Sequence, residues 1–331
     1  MLKFIQKLFD KNKPYKIAET LEYGFLSVGD GHEIYYEISG NKKGVPVVIL
    51  HGGPGGSLSQ NKRALFNPKE YFIIQFDQRG CGKSTPSLSL ENNNTSALIE
   101  DMEKLRKHLD VDKWVVTGGS WGSALALAYS TKYKNRVLGL LLNSVFLAGK
   151  EEMDSVYNNA GPASSIYPDQ YAKFIEPLNE EERKDPLQSY ANKMEKAEGL
   201  EKEFLSRSFV RWECLLLGLN PNFESVDEFV SSEEFESSFA IFELHYFKNN
   251  CFLDSEKLIE DVKSLKEIPA YIVNGRYDLL CNPKYSYQLH QNMTGSKLVF
   301  TFDGHLIKSY AAKRQVVAFS NELLQILKGE K

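Results

Sequence analysis

Across its 331 residues the chain carries 40 Lys+Arg against 44 Asp+Glu, with 42% hydrophobic and 25% charged residues, a balance that suits a folded globular protein and excludes disordered or collagen-like chains. The net charge of −4 conceals a split, because residues 151–260 hold 24 acidic and 10 basic side chains while the rest holds 20 acidic and 30 basic. With no whole-chain basic excess, nucleic acid is not an expected partner.

Four scattered cysteines, Cys81, Cys214, Cys251 and Cys281, lack CxxC spacing, which argues against a zinc knuckle or a disulfide framework and for reduced thiols in the cytoplasm. The longest apolar runs, such as Val45 to Leu50 and Val137 to Leu142, fall far short of the roughly 18 residues that a membrane span requires. No membrane span, metal or cofactor is expected, and the sequence assigns no oligomeric state.

At the start of the chain, Leu2, Ile5, Leu8 and Phe9 share one helical face with Lys3, Lys7 and Lys11 elsewhere. The stretch lacks the apolar core and cleavage site of a secretion signal. Residues 1–15 are read as an extra N-terminal segment, either a short helix packed on its own domain or frayed, or a membrane-surface helix.

His32 to Ile38 alternates like a half-buried strand after the turn Gly29-Asp30-Gly31. Val45 to Leu50, Tyr71 to Phe76, Trp114 to Thr117, Val137 to Leu142 and Ala270 to Val273 are almost wholly apolar, as strands covered on both faces of a parallel sheet should be. Helical patterns over 96–109 and 123–133 fall between them, predicting a doubly wound α/β sheet. From about 147 to 260 the alternation stops, and helical stretches over 169–175, 180–194 and 200–214 read as an inserted cap. The sheet resumes at Ile268-Pro269 and Lys297 to Phe302, and an amphipathic helix over 311–327 closes the chain. The core is therefore assigned to 1–146 and 261–331, and the helical cap to 147–260.

Gly118-Gly119-Ser120-Trp121-Gly122 matches G-x-S-x-G between a strand and a helix, the setting of a nucleophile elbow. A serine hydroxyl needs a base to take its proton and an acid to orient that base. Of six histidines, His305 alone follows a late strand across a short turn, Asp303-Gly304. Asp278, 27 positions earlier and just past Ala270 to Val273, supplies the acid in the order Ser, Asp, His. Asp303 shares the turn of His305 and is the weaker choice. His51-Gly52-Gly53-Pro54-Gly55-Gly56 follows a strand where this fold places one oxyanion donor, so the backbone N–H groups of Gly53 and Trp121 are the candidates. No Lys-Ser/Thr pair follows it, which argues against a phosphate loop.

HGGPGG at 51–56, DQRGCGKS at 77–84, GGSWGS at 118–123 and GRYD at 275–278 together resemble the proline iminopeptidases, serine peptidases of the α/β-hydrolase fold. In the cap, EERKD at 181–185, RWE at 211–213 and FELHYF at 242–247 are similar as well. The resemblance implies an α/β-hydrolase core with a mostly parallel sheet, and release of N-terminal proline from short peptides by Ser120, Asp278 and His305. It further implies that Glu213 and Glu243 bind the substrate's free amino group and that Phe146 contacts the proline ring. Where the family carries Gly-Ala-Gly-His, this chain has Phe302-Asp303-Gly304-His305. The alternatives are an esterase or amidase on the same scaffold, an aminopeptidase for other small N-terminal residues, and a non-catalytic binding protein that keeps the fold.

Overall fold

The computed structural model describes residues 12–329 apart from 234 and 236, so the amphipathic stretch expected at the N-terminus lies outside the described residues. The first half of the chain forms β1 (Thr20–Gly29), β2 (His32–Gly40), β3 (Val45–Leu50), β4 (Tyr71–Phe76), α1 (Thr95–His108), β5 (Trp114–Ser120), α2 (Trp121–Lys132) and β6 (Val137–Val145). Helices α3 (Lys150–Tyr157), α4 (Pro162–Ile166), α5 (Pro168–Phe174), α6 (Pro186–Lys196), α7 (Gly199–Leu216), α8 (Phe223–Ser231), α9 (Ser238–Lys248) and α10 (Ser255–Asp261) follow. The chain then returns to the sheet with β7 (Ala270–Gly275), α11 (Pro283–Asn292), β8 (Lys297–Thr301) and α12 (Tyr310–Lys328). The eight-stranded sheet has the order β1-β2-β4-β3-β5-β6-β7-β8. β2 pairs antiparallel with both β1 and β4, and every other pairing is parallel.

Successive strand side chains point to opposite faces, and the two faces of β3 show it. Val48 and Leu50 enter the core shared with α1, α2 and the cap. Val47 and Ile49 enter the other, beneath Val316, Phe319 and Leu323 of α12. Each such side chain contributes roughly 1.5–3 kcal/mol on full burial, which is why a short unbroken apolar run suffices for a central strand. Helix α1 is capped by Asn94, whose side chain accepts from the Ala97 N–H at 3.0 Å. Ser309 caps α12 by accepting from the Ala312 N–H at 3.0 Å.

Two details differ from the sequence reading. β1 has no counterpart among the expected strands: it is an edge strand with Leu21, Tyr23 and Phe25 exposed, so its apolar alternation points outward and gives no sign of burial. The helix expected over 180–194 is broken into a short turn at Glu182–Lys184 and α6. Pro186 has no N–H to donate and therefore starts a helix, with the Asp185 side chain accepting from the Gln188 N–H. Within the cap, the Phe174 ring stacks 5.0 Å from Tyr190 and 5.5 Å from Trp212, and Tyr157 stacks 5.4 Å from Phe209. No helix among the described residues is long and apolar enough to cross a membrane.

Candidate active site

Ser120 ends β5 with φ +56° and ψ −131°, and α2 begins at the next residue. A positive φ on a residue with a Cβ costs on the order of 1 kcal/mol or more and survives only where its surroundings enforce it. Glycines supply that enforcement: a Cβ on Gly118 would strike the Gly122 carbonyl, one on Gly119 the Asn143 amide, and one on Gly122 would sit 2.8 Å from the His51 carbonyl. The turn lifts the hydroxyl over the sheet at the positive end of α2.

Asp278 and His305 reach the same spot from β7 and β8. Both Asp278 carboxylate oxygens lie 3.1 Å from His305 Nδ1, and the carboxylate also accepts from the N–H groups of Leu280 and Cys281. Asn274 anchors this loop, accepting from the Val145 N–H and donating to the Cys281 carbonyl. Ser144 donates to the His305 carbonyl at 2.8 Å. Cys281 Sγ lies 3.9 Å from Ser120 Oγ, and its sulfur, a carboxylate oxygen of Asp278 and a ring nitrogen of His305 lie within 4.8 Å of one another. Although this is a set of metal-ligand types, its His and Asp already engage each other. Burial pulls the His305 imidazole down, but the charge and hydrogen bond of Asp278, together with the charge of Glu213, more than offset this and raise it above 6.5. Asp303 faces elsewhere, accepting from the N–H and hydroxyl of Ser309.

The Gly-rich loop after β3 lies against the elbow, since a Cβ on Gly52 would sit 3.2 Å from the Gly119 carbonyl and 3.5 Å from Ser120 Cβ. Gly53 follows with φ +110°, a conformation that favours glycine. As the first residue of α2, Trp121 has no acceptor four positions back within the helix for its N–H. The next loop braces this one: Asp77 accepts from the N–H groups of Leu58 and Lys83, and the buried Arg79 makes a two-point pair with Asp101 of α1 at 2.6 and 2.9 Å.

The cap brings Glu213 of α7 and Glu243 of α9 together above this floor. The two carboxyl groups hydrogen-bond each other, and burial raises both above the usual carboxylate range, Glu243 the more strongly because the Glu213 charge adds to it. The Tyr157 hydroxyl donates to Glu213 Oε1, whereas Glu243 Oε2 is buried with no hydrogen-bond partner. The Glu213 charge is felt at His305, so the carboxyl pair and the Asp278–His305 pair share one electrostatic neighbourhood. Phe146, just past β6, is buried with its ring 6.0 Å from Phe247, and its N–H donates to Ser123 Oγ at 2.9 Å. Tyr157, Asn274 and Glu152 escaped the sequence reading. Glu152, which accepts from the N–H groups of Leu147 and Gly149 behind Phe146, stands in the first turn of α3, a helix the sequence reading does not single out.

The sequence profile of the α/β-hydrolase fold matches residues 45–308. The proline iminopeptidase of Arabidopsis thaliana is 39% identical over 97% of this chain and 84% of its own length. That of Neisseria gonorrhoeae is 39% identical over 88% of this chain and 92% of its own. The chain belongs to the proline iminopeptidase family. Among solved structures, an esterase from Exiguobacterium antarcticum superposes with a TM-score of 0.59 at 20% identity, over 92% of this chain and 98% of its own. A proline iminopeptidase-related protein from Thermus thermophilus superposes at 0.57 and 19% identity, over 94% and 99%. At such identities these two show the α/β-hydrolase fold alone, which this family member shares.

Proposed function

We propose that this protein is a serine exopeptidase that releases proline from the free N-terminus of short peptides through an acyl-enzyme. Ser120 Oγ attacks the prolyl carbonyl carbon while His305 Nε2 takes its proton, and Asp278, on Nδ1, fixes the tautomer and stabilises the imidazolium. The N–H groups of Gly53 and Trp121 receive the developing oxyanion. Collapse of the tetrahedral intermediate breaks the C–N bond as His305 passes its proton to the leaving amine. Water, deprotonated by the same imidazole, then attacks the prolyl ester and frees proline and Ser120.

The observation that carries the specificity is the carboxyl pair: Glu243 Oε2 is buried without a partner beside Glu213, within electrostatic reach of His305. A buried acceptor left unpaired costs about 1–3 kcal/mol, a cost removed when a cationic secondary amine donates to it. Holding that amine at a fixed distance from Ser120 restricts cleavage to the first peptide bond, and Phe146 offers an aromatic surface to the proline ring. The same reading divides the chain into a catalytic core, residues 1–146 and 261–331, and a cap, 147–260. It places the protein in the cytoplasm, where its four unpaired cysteines stay reduced.

A panel of aminoacyl p-nitroanilides tests the assignment. Proline p-nitroanilide is expected to be turned over best, with activity lost in Ser120→Ala. A preference for simple acyl esters, or for N-terminal alanine, would assign an esterase or a broader aminopeptidase instead.

A further inference from the structure

Gln78 belongs to neither the triad nor the cap, yet the two halves of the proposed oxyanion site meet on it. It follows β4 and is 2% exposed. Its backbone N–H donates to His51 Nε2 at 3.0 Å and its side-chain NH₂ to the His51 carbonyl at 3.1 Å. Its amide oxygen accepts from Trp121 Nε1 at 2.9 Å. His51 directly precedes Gly52-Gly53, and Trp121 is itself the other donor residue. One side chain is thus bonded to the loop that bears the first N–H and to the residue that bears the second.

The polarity of this bridge allows one arrangement. An indole N–H only donates and a peptide carbonyl only accepts, so the Gln78 amide has a single orientation. Since His51 Nε2 accepts from the Gln78 N–H, Nδ1 carries the proton and donates to the Gly52 carbonyl at 2.9 Å. Burial keeps this imidazole neutral by pushing its pKa down to about 4. The Gly52 carbonyl also accepts from the Gly56 N–H at 3.2 Å, which closes the loop around Gly53. The chain of bonds therefore runs from the Trp121 ring through Gln78 and His51 into the backbone on either side of Gly53.

We propose that Gln78 is a positioning residue that sets the spacing and aim of the Gly53 and Trp121 N–H groups, and so acts on the transition state and not on substrate binding. The proposal rests on the acyl-transfer reading above. Hydrogen bonds weaken steeply with misalignment, and loss of one oxyanion donor costs about 100- to 1,000-fold in kcat; a donor misaimed but still present should cost less.

Gln78→Met, Trp121→Phe and the double variant test this, each compared with wild type at equal folded fraction. The readouts are kcat and KM on proline p-nitroanilide and the second-order rate of Ser120 labelling by a fluorophosphonate. Gln78→Met should lower kcat and the labelling rate together by roughly 10- to 100-fold, with KM within about twofold of wild type. Trp121→Phe keeps the ring and removes only the indole N–H, so it should show a smaller loss of the same kind. The double variant should be no worse than Gln78→Met, because the shared bond is already broken. A folded Gln78→Met with wild-type kcat and labelling, or with its loss confined to KM, would overturn the proposal. If Gln78→Met does not fold, an unchanged kcat and labelling rate in Trp121→Phe overturns it equally. Labelling needs no prolyl substrate, so failure of the proline assignment would appear separately, as a wild type that is labelled but does not hydrolyse the nitroanilide.

Discussion

The floor and the ceiling of the site are built on opposite principles. On the floor, Asp278 accepts from two backbone N–H groups besides facing His305, and the loops beneath the Gly53 and Trp121 N–H groups are tied together by donors and acceptors that match. In the ceiling, the buried Glu243 carboxyl crowds the half-buried one of Glu213, and one Glu243 oxygen has no partner. A satisfied arrangement is rigid and ready before substrate arrives, which suits groups that must stabilise a transition state. An unsatisfied one is completed only by a ligand of the right charge, which suits selection of an N-terminus. In the proposed mechanism the floor would serve many acyl transfers, and the ceiling would restrict which acyl group is presented.

Breaking the floor should have the larger effects. Ser120→Ala is expected to remove turnover by at least about four orders of magnitude, measured on proline p-nitroanilide with the cap intact. Asp278→Asn should lower kcat by about 10⁴-fold through the wrong histidine tautomer while leaving KM near wild type. The floor also sets a pH signature. In the proposed mechanism His305 acts as a base and must be unprotonated, and the Asp278 carboxylate raises its pKa above 6.5, so kcat should fall on acidification along a limb centred above 6.5. In Asp278→Asn the residual activity should show that limb at lower pH, because the carboxylate that raises it is gone.

The smallest effect separates stability from catalysis. Burial raises Glu152 from 4.5 to about 8, so between those values the folded state holds a proton that the unfolded chain has lost. The sign follows: this group's contribution is present at low pH and falls as pH rises towards about 8, at up to about 1.4 kcal/mol per pH unit. Glu152→Gln keeps an acceptor for the Leu147 and Gly149 N–H groups without the charge. Its urea midpoint at pH 8 should therefore equal or exceed that of wild type, with a flatter dependence on pH. A steeper pH dependence in the variant would refute this.

What could be read in the sequence followed from how local each signal is. The elbow is a contiguous strand-turn-helix readable as G-x-S-x-G, although only the Gly118 collision, with Gly122, is local while Gly119 and Gly122 meet Asn143 and His51, and the buried strands announce themselves by almost wholly apolar runs. Glu213 and Glu243 could be singled out only through resemblance, since a glutamate in a helix looks the same whether solvated or buried until α7 and α9 are packed together. His51 and Gln78 are 27 positions apart and meet because β3 and β4 pair in parallel, a relation that no local pattern carries. β1 was missed because its exposed face bears the larger apolar side chains.

The relation between floor and ceiling is tested most directly by the double variant Glu213→Gln, Glu243→Gln assayed side by side on proline p-nitroanilide and on an uncharged acyl ester of similar size. The expected result is a loss of roughly 100-fold or more in kcat/KM on the nitroanilide, from losing charge-assisted bonds worth about 1.5–3 kcal/mol each, with ester hydrolysis within about threefold of wild type. Equal losses on both substrates, or none on the nitroanilide, would contradict a ceiling that selects the cationic N-terminus.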